Sequence, residues 1–323
     1  MQKILVVDGS SIIHRAFFGM RLLQTQSGKY TNAVYGTVSI IKRQMDALAP
    51  DVAAVAFDLR GPTFRHLMYP GYKEGRRPTP PELSAQFEDT KACLSMMGLH
   101  VLELEGWEAD DIQGTVARMA ADLPDAHAYI LSGDRDLLQL IDERTTVLLA
   151  SNHETEAYDA DAFFGRFGIR PDQYVDAKAL MGDASDRIPG VPGIGEKTAL
   201  KLIALFGSLD GVYDALARLD TLDPERRKAL PDGVCRKLTE GRDSALLSRD
   251  LARIRCDAPL GLTPDDLRTT PVDRTGLYRL FVELEFRSLL SKFRLSAPAD
   301  DAPGSGGAAE ANKAAAQTGA DRS

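Results

Sequence analysis

Ile4-Leu5-Val6-Val7-Asp8-Gly9-Ser10-Ser11 decides the fold. Four apolar residues, three of them β-branched, run straight into an aspartate and a glycine. A short run that is apolar on both sides suits a strand buried on both faces. Asp-Gly-Ser ends it with turn chemistry. The same pattern recurs through the first half. Residues 52–57 form a second apolar run and stop at Asp58. Residues 100–104 form a third, followed by Glu108, Asp110 and Asp111. Residues 128–131 form a fourth, followed by Asp134 and Asp136, and residues 146–150 form a fifth. Helical periodicity lies between the runs: Phe87, Leu94 and Met97 share a face, as do Ile112, Val116, Met119 and Ala120. Strands alternating with helices predict an α/β fold with a mostly parallel central sheet flanked by helices.

The second half loses the strand signal. Ala199, Leu202, Ile203 and Phe206 make an i, i+3, i+4, i+7 stripe, and Leu277, Leu280, Phe281 and Leu284 repeat it. Residues 1–165 are thus expected to form the α/β domain and residues 166–296 a smaller helical one. Residues 297–323 are rich in Ala, Gly, Asp and Ser and are expected to be a tail or linker.

Composition narrows the function. At 44% hydrophobic and 27% charged, the chain lies in the globular range. No run is apolar enough to span a bilayer, and the N-terminus lacks the core of a signal peptide. These features predict a cytoplasmic protein. The three cysteines, Cys93, Cys235 and Cys256, are widely spaced and read as small buried residues rather than a disulfide or zinc framework. The net charge of −8 disfavours nucleic acid at first sight. It does so only if the acids are spread evenly, and they are not.

In an open parallel sheet the carboxyl ends of the strands share one edge, where ligands bind. Asp8, Asp58 and Asp134 would therefore converge there, with Asp136 beside them. Glu108 and Asp111, spaced i, i+3, share a helical face next to Asp110, and Asp183 and Asp186 have the same spacing. Each acid has an ordinary reading: a helix cap, a dipole partner or a turn residue. All of them at strand ends is harder to explain that way. Gathered at one edge, nine carboxylates repel unless cations neutralise them, and hard ions such as Mg2+ or Mn2+ prefer oxygen ligands. Two such ions about 4 Å apart activate water and stabilise the leaving oxygen of a phosphodiester. With that cluster set aside, the rest of the body is mildly basic.

Two further segments point to nucleic acid. Residues 188–198 read Ile-Pro-Gly-Val-Pro-Gly-Ile-Gly-Glu-Lys-Thr. Gly190 and Gly195 have P-loop spacing, but Glu196 stands where that motif needs lysine. A tight turn between helices, presenting Gly190, Gly193 and Gly195 beside a helix N-terminus, would accept a phosphate. Lys197 and Lys201, spaced i, i+4 away from the apolar stripe, would add contacts. Residues 60–77 mix Arg60, Arg65, Lys73, Arg76 and Arg77 with His66, Tyr69 and Tyr72, which suits single-stranded nucleic acid.

Together these residues resemble the 5′ nuclease (flap endonuclease) family, most closely the 5′–3′ exonuclease domain of bacterial DNA polymerase I. The likeness spans about residues 2–296. It rests on Val-Asp-Gly-Ser-Ser at 7–11, Phe-Arg-His at 64–66, Tyr-Lys-x-x-Arg at 72–76, Glu-Ala-Asp-Asp at 108–111, Gly-Asp-Arg-Asp-Leu-Leu-Gln-Leu at 133–140 and Leu-Met-Gly-Asp-Ala-Ser-Asp at 180–186. The resemblance implies a PIN-like nuclease core and a helix–three-turn–helix hairpin over 188–198. It also implies a helical arch over about 70–90 that admits the 5′ strand.

The family assigns Asp8, Asp58, Glu108, Asp110 and Asp111 to one metal site, and Asp134, Asp136, Asp183 and Asp186 to a second. It gives Arg15, Lys73 and Arg76 the scissile phosphate, Tyr72 a base to stack on, and the hairpin a duplex with a bound K+. The implied partners are DNA with a 5′ end or flap, an RNA–DNA hybrid, and a DNA polymerase. The implied task is primer removal and repair at the nucleoid. A branched-DNA-binding module without catalysis is the alternative. Arg187 departs from the family, which usually has Asn there.

Changing both Lys197 and Lys201 to Ala is expected to weaken duplex binding and to lower its log–log salt slope by about one to two units. Titrations at several salt concentrations check this, and an unchanged slope would mean that the hairpin does not face phosphate.

Overall fold

The computed structural model describes residues 1–151 and 155–298. Most of the tail expected at 297–323 lies outside them. The central sheet has six strands: β1 (Gln2–Asp8), β2 (Val52–Ala56), β3 (His100–Leu102), β4 (Ala126–Ser132), β5 (Thr145–Ala150) and β6 (Thr155–Tyr158). Their order is β3-β2-β1-β4-β5-β6. All neighbours run parallel except β6, which pairs antiparallel with β5. The sequence reading anticipated the five parallel strands and missed β6. Thr-Glu-Ala-Tyr is short and half polar, as an edge strand should be, and carries no apolar run to betray it.

The chain moves outward from β1 to β3, then returns to lay β4 on the other side of β1. The order reverses between β1 and β4, so the ligand crevice of an open sheet falls at their carboxyl ends. Val7 pairs with Leu131, which sets Asp8 beside Ser132 at that point.

Period-2 alternation divides the strand residues between two cores. Ile4, Val6, Ala54, Ile130 and Val147 face one core, which continues into the second half through Leu180, Leu202, Ile203 and Val212. Leu5, Val7, Val55, Leu131 and Leu148 face the other, with Ile12, Val38, Ile41 and Leu94. The helix Arg274–Glu283 returns to this second face and buries Leu277 and Phe281 there. No helix among the described residues is long and apolar enough to cross a membrane. Cys93, Cys235 and Cys256 are free thiols, and burial pushes that of Cys93 up to about 12.

Candidate metal centre and nucleic-acid interface

Asp8 lies at the switch point because β1 ends there and the helix Gly9–Gly19 begins. Its carboxylate caps that helix, accepting from Ser11 N at 2.8 Å, and takes the Ser132 hydroxyl from β4 at 2.6 Å. Asp58, at the end of β2, is exposed and accepts from Ala109 N at 2.9 Å. That bond docks the helix Ala109–Arg118 so that Asp110 stands near Asp8, Asp134 and Asp58, whose charges all act on it. Asp134 is held above β4 by its backbone N–H on Ser132 Oγ, at 2.9 Å.

Two members of this group keep their protons more tightly than a free carboxyl. Burial pushes Asp8 up to about 7, aided by the charges of Asp58 and Asp134 and opposed by its hydrogen bonds from Ser132 and Ser11. Burial and the charges of Asp8, Asp134 and Asp58 push Asp110 well up, with Lys73 pulling it back. These groups carry more negative character than the chain compensates, and their donors are all oxygen. That is what a hard divalent cation fits.

The remaining acids already have cations. Glu108 accepts from Lys73 Nζ at 2.7 Å, from the Tyr72 hydroxyl at 2.9 Å and from Arg65 at 3.0 Å. Asp186 takes Arg76. Lys178 bridges Asp136 and Asp183, 2.6 Å from the latter. This one ammonium serves two carboxylates unequally. Against the cost of burial, Lys178 and Ser185 hold Asp183 down at about 2. Burial pushes Asp136 up to about 7 even though Lys178 pulls it back. Among the described residues, no three His, Cys, Asp or Glu side chains are gathered tightly enough to hold an ion as they stand.

Asp111 sits apart from the group. It is fully buried, and its oxygens are committed to the Arg65 fork, to Arg255 N at 2.8 Å and to Glu108 N at 3.3 Å. Asp111, expected as a metal ligand, thus caps its helix and pairs with Arg65 in this structure.

Tyr72 also departs from expectation. It is only 3% exposed, packed with Val175, Ile188 and Leu251, so its ring offers no face to a base. Arg65, counted among DNA-facing cations by its neighbours in sequence, is buried at 2% exposure. Lys73 and Arg76 do line the acidic site, and Arg15 reaches Gly133 O at 3.3 Å beside it. Residues 70–80 are turns and extended chain, with a short helix at Pro81–Ser84 and a packed one at Phe87–Met96.

In the hairpin, Gly193 and Gly195 are exposed at the entry to the helix Glu196–Phe206, and Lys197 and Lys201 are exposed along it. Gly190 is not available to phosphate. Its N–H goes to Ser248 Oγ at 2.9 Å and its carbonyl receives Ser244 Oγ at 2.6 Å. A Cβ there would lie 2.4 Å from Gly182 N, so glycine is needed for the backbone approach. Lys237 Nζ, which sequence reading did not single out, donates to Gly193 O at 3.0 Å. Lys178 was missed as well, although its place five residues before Asp183 on the helix Tyr174–Met181 points it to the acids.

Two family models cover most of the chain. "5'-3' exonuclease, N-terminal resolvase-like domain" matches residues 3–168, and "5'-3' exonuclease, C-terminal SAM fold" matches residues 169–275. DNA polymerase I of Bacillus caldotenax is 42% identical over 304 residues, covering 94% of this chain and 33% of its own length. DNA polymerase I of Bacillus subtilis is 39% identical over 293 residues, covering 90% and 32%. The chain thus spans about a third of the length of these curated relatives. Among solved structures, T5 5'-exonuclease with bound zinc superposes with a TM-score of 0.63 at 21% identity, covering 88% of this chain and 99% of that one. The catalytic core of Rad2 in complex with DNA substrate gives 0.56 at 15% identity, covering 88% of each chain. These likenesses show a shared fold.

The raised Asp8 makes stability pH-dependent. Its folded-state value lies above the ordinary aspartate value near 3.8, so the folded form holds the extra proton between the two. Its contribution is fully present below about 4 and is lost as pH climbs through about 7. Without divalent ions, Asp8→Asn should raise the thermal midpoint at pH 8, with a gain that shrinks as pH falls toward 4. Melting curves across that range check this, and a gain independent of pH would contradict it.

Proposed function

This chain belongs to the 5′-3′ exonuclease family, and we propose that it is a structure-specific 5′ nuclease acting on DNA at 5′ ends and flaps. The observation that carries the reading is the under-compensated group of Asp8, Asp58, Asp110 and Asp134 at the sheet's switch point, with Lys73, Arg76 and Arg15 beside it. In this reading the α/β unit at residues 1–165 carries the chemistry. The helical unit at 166–296 holds the duplex, and the stretch around 70–90 borders the path of the 5′ strand.

Asp8, Asp58, Asp110 and Asp134 would hold one Mg2+. Asp136 and Asp183, with Asp134 nearby, would hold a second, and Mn2+ would substitute. When bound, the ions supply an activated water and charge stabilisation on the phosphate. Glu108 and Asp186, which Lys73 and Arg76 pair with here, would add donors once those cations engage the phosphate. Asp111 keeps the start of its helix in place. Water oxygen bonds to phosphorus, the bond to the 3′ oxygen breaks, and that oxygen takes a proton. The products are a 5′-phosphate and a 3′-hydroxyl.

Gly193, Gly195, Lys197 and Lys201 would seat duplex phosphates without reading sequence. A K+ at the hairpin would share its carbonyl surface with Lys237, which already sits on Gly193 O. The task would be primer removal, including RNA–DNA hybrid, and repair at the nucleoid, in company with a DNA polymerase. The alternative, a DNA-binding module without catalysis, has one observation in its favour: lysines already occupy part of the acidic edge.

A 5′-labelled double-flap DNA separates the two. The wild type should cut near the flap junction with Mg2+ and not with EDTA, and Asp134→Ala should be slower by about a hundredfold or more. Tight flap binding with no cutting by the wild type would establish the alternative.

A further inference from the structure

Arg65 is the most fully committed cation in the molecule's acidic region, and the reaction outlined above gives it no task. Its side chain is buried at 2% exposure. A guanidinium has five N–H donors. Here each meets an acceptor. Nη1 donates to Asp111 Oδ2 at 2.7 Å and to Glu108 Oε2 at 3.0 Å. Nη2 donates to Asp111 Oδ1 at 2.8 Å and to Arg253 O at 2.8 Å, and Nε donates to Leu251 O at 2.9 Å. The planar fork on Asp111 fixes direction as well as charge, which a lysine cannot do.

The five acceptors belong to two separate parts of the chain. Glu108 and Asp111 bracket Asp110 at the start of the helix Ala109–Arg118, so holding them aims Asp110. Leu251 O and Arg253 O lie at the end of the helix Arg242–Ala252, where carbonyls lack partners within the helix. That same helix carries Ser244 and Ser248, which grip Gly190 of the hairpin from both its carbonyl and its N–H. An unbroken chain of hydrogen bonds and one helix therefore runs from the hairpin to the acids.

We infer that Arg65 is a positioning residue that sets Glu108 and Asp110 for cleavage and ties their placement to the helix gripping the hairpin. It touches neither DNA nor the ions. The inference rests on the nuclease reading above.

The test compares the wild type with Arg65→Lys, which keeps the charge and loses the fork. Each is assayed well below its own thermal midpoint, so that both are folded. Three quantities are read: the dissociation constant for Mn2+ without DNA, flap binding in Ca2+, and the single-turnover cleavage rate in Mg2+. The variant should bind Mn2+ at least tenfold more weakly and cut at least a hundredfold more slowly, while flap binding changes less than about threefold. A folded variant with wild-type Mn2+ affinity and cleavage would overturn the inference. Arg65→Gln, which keeps an amide donor toward Asp111, undergoes the same assays if the lysine variant does not fold, and wild-type behaviour there would overturn it equally. A wild type that neither binds Mn2+ nor cuts would strike the nuclease reading and take this inference with it. A cutting wild type beside an unimpaired variant strikes the inference alone.

Discussion

Carboxylates drawn to one edge of a parallel sheet cannot all be charged at once without cations, and much of this molecule is arranged around that constraint. The chain answers part of it internally. Arg65 neutralises Asp111, Lys73 sits on Glu108, Arg76 on Asp186, and Lys178 between Asp136 and Asp183. Beyond these pairs, burial and neighbouring charge hold the protons on Asp8 and Asp110, and burial does so on Asp136 in spite of Lys178. A buried ion pair is a poor source of stability, because desolvation consumes most of its Coulomb gain. These pairs are better understood as aiming devices, and under the proposed function the unpaired remainder would receive ions from outside.

The sheet supplies the convergence and the second half supplies its support. Asp8 and Ser132 meet because β1 and β4 are neighbours only after the chain reverses direction. On the opposite side of the helix Ala109–Arg118, residues 252–258 run along a polar seam. Arg255 N donates to Asp111, Ala258 N to Thr115 Oγ1, and Gln139 exchanges bonds with Ala252 and Ile254. A hydrophobic core continuous from sheet to helices backs that seam. The parts expected to hold ions and duplex therefore share one packed body.

Sequence made most of the acidic edge legible because Asp8, Asp58, Asp134 and the acids at 108–111 follow apolar runs whose direction the parallel sheet fixes, whereas Asp183 and Asp186 follow a helix. It could not tell ligand from support. Asp111 and Asp110 are adjacent in sequence, yet one faces Arg65 and the other the acids, a difference set by the turn of a helix and by a partner from far along the chain. Tyr72 and Arg65 read as DNA-facing because their neighbours are basic and polar, whereas Val175, Ile188 and Leu251 from the second half bury Tyr72, and Glu108 and Asp111 with the carbonyls of Leu251 and Arg253 enclose Arg65. Gly190 read as a phosphate cradle, but its close approach to Gly182 makes it a structural glycine. Lys178 lies in the helix Tyr174–Met181, ahead of the motif at 180–186, and its partner Asp136 is 42 residues away. For Asp111, Tyr72, Arg65 and Lys178 the missing information is a long-range contact.

Under the proposed function, divalent ions would lodge among Asp8, Asp58, Asp110 and Asp134. The most direct measurement is anomalous diffraction from a crystal of this protein soaked in Mn2+. An anomalous peak should lie within direct coordination distance of Asp8, Asp110 and Asp134 oxygens, with Asp111 still held by Arg65. Well-ordered acids with no Mn2+ peak among them, or Mn2+ found only elsewhere on the surface, would contradict it.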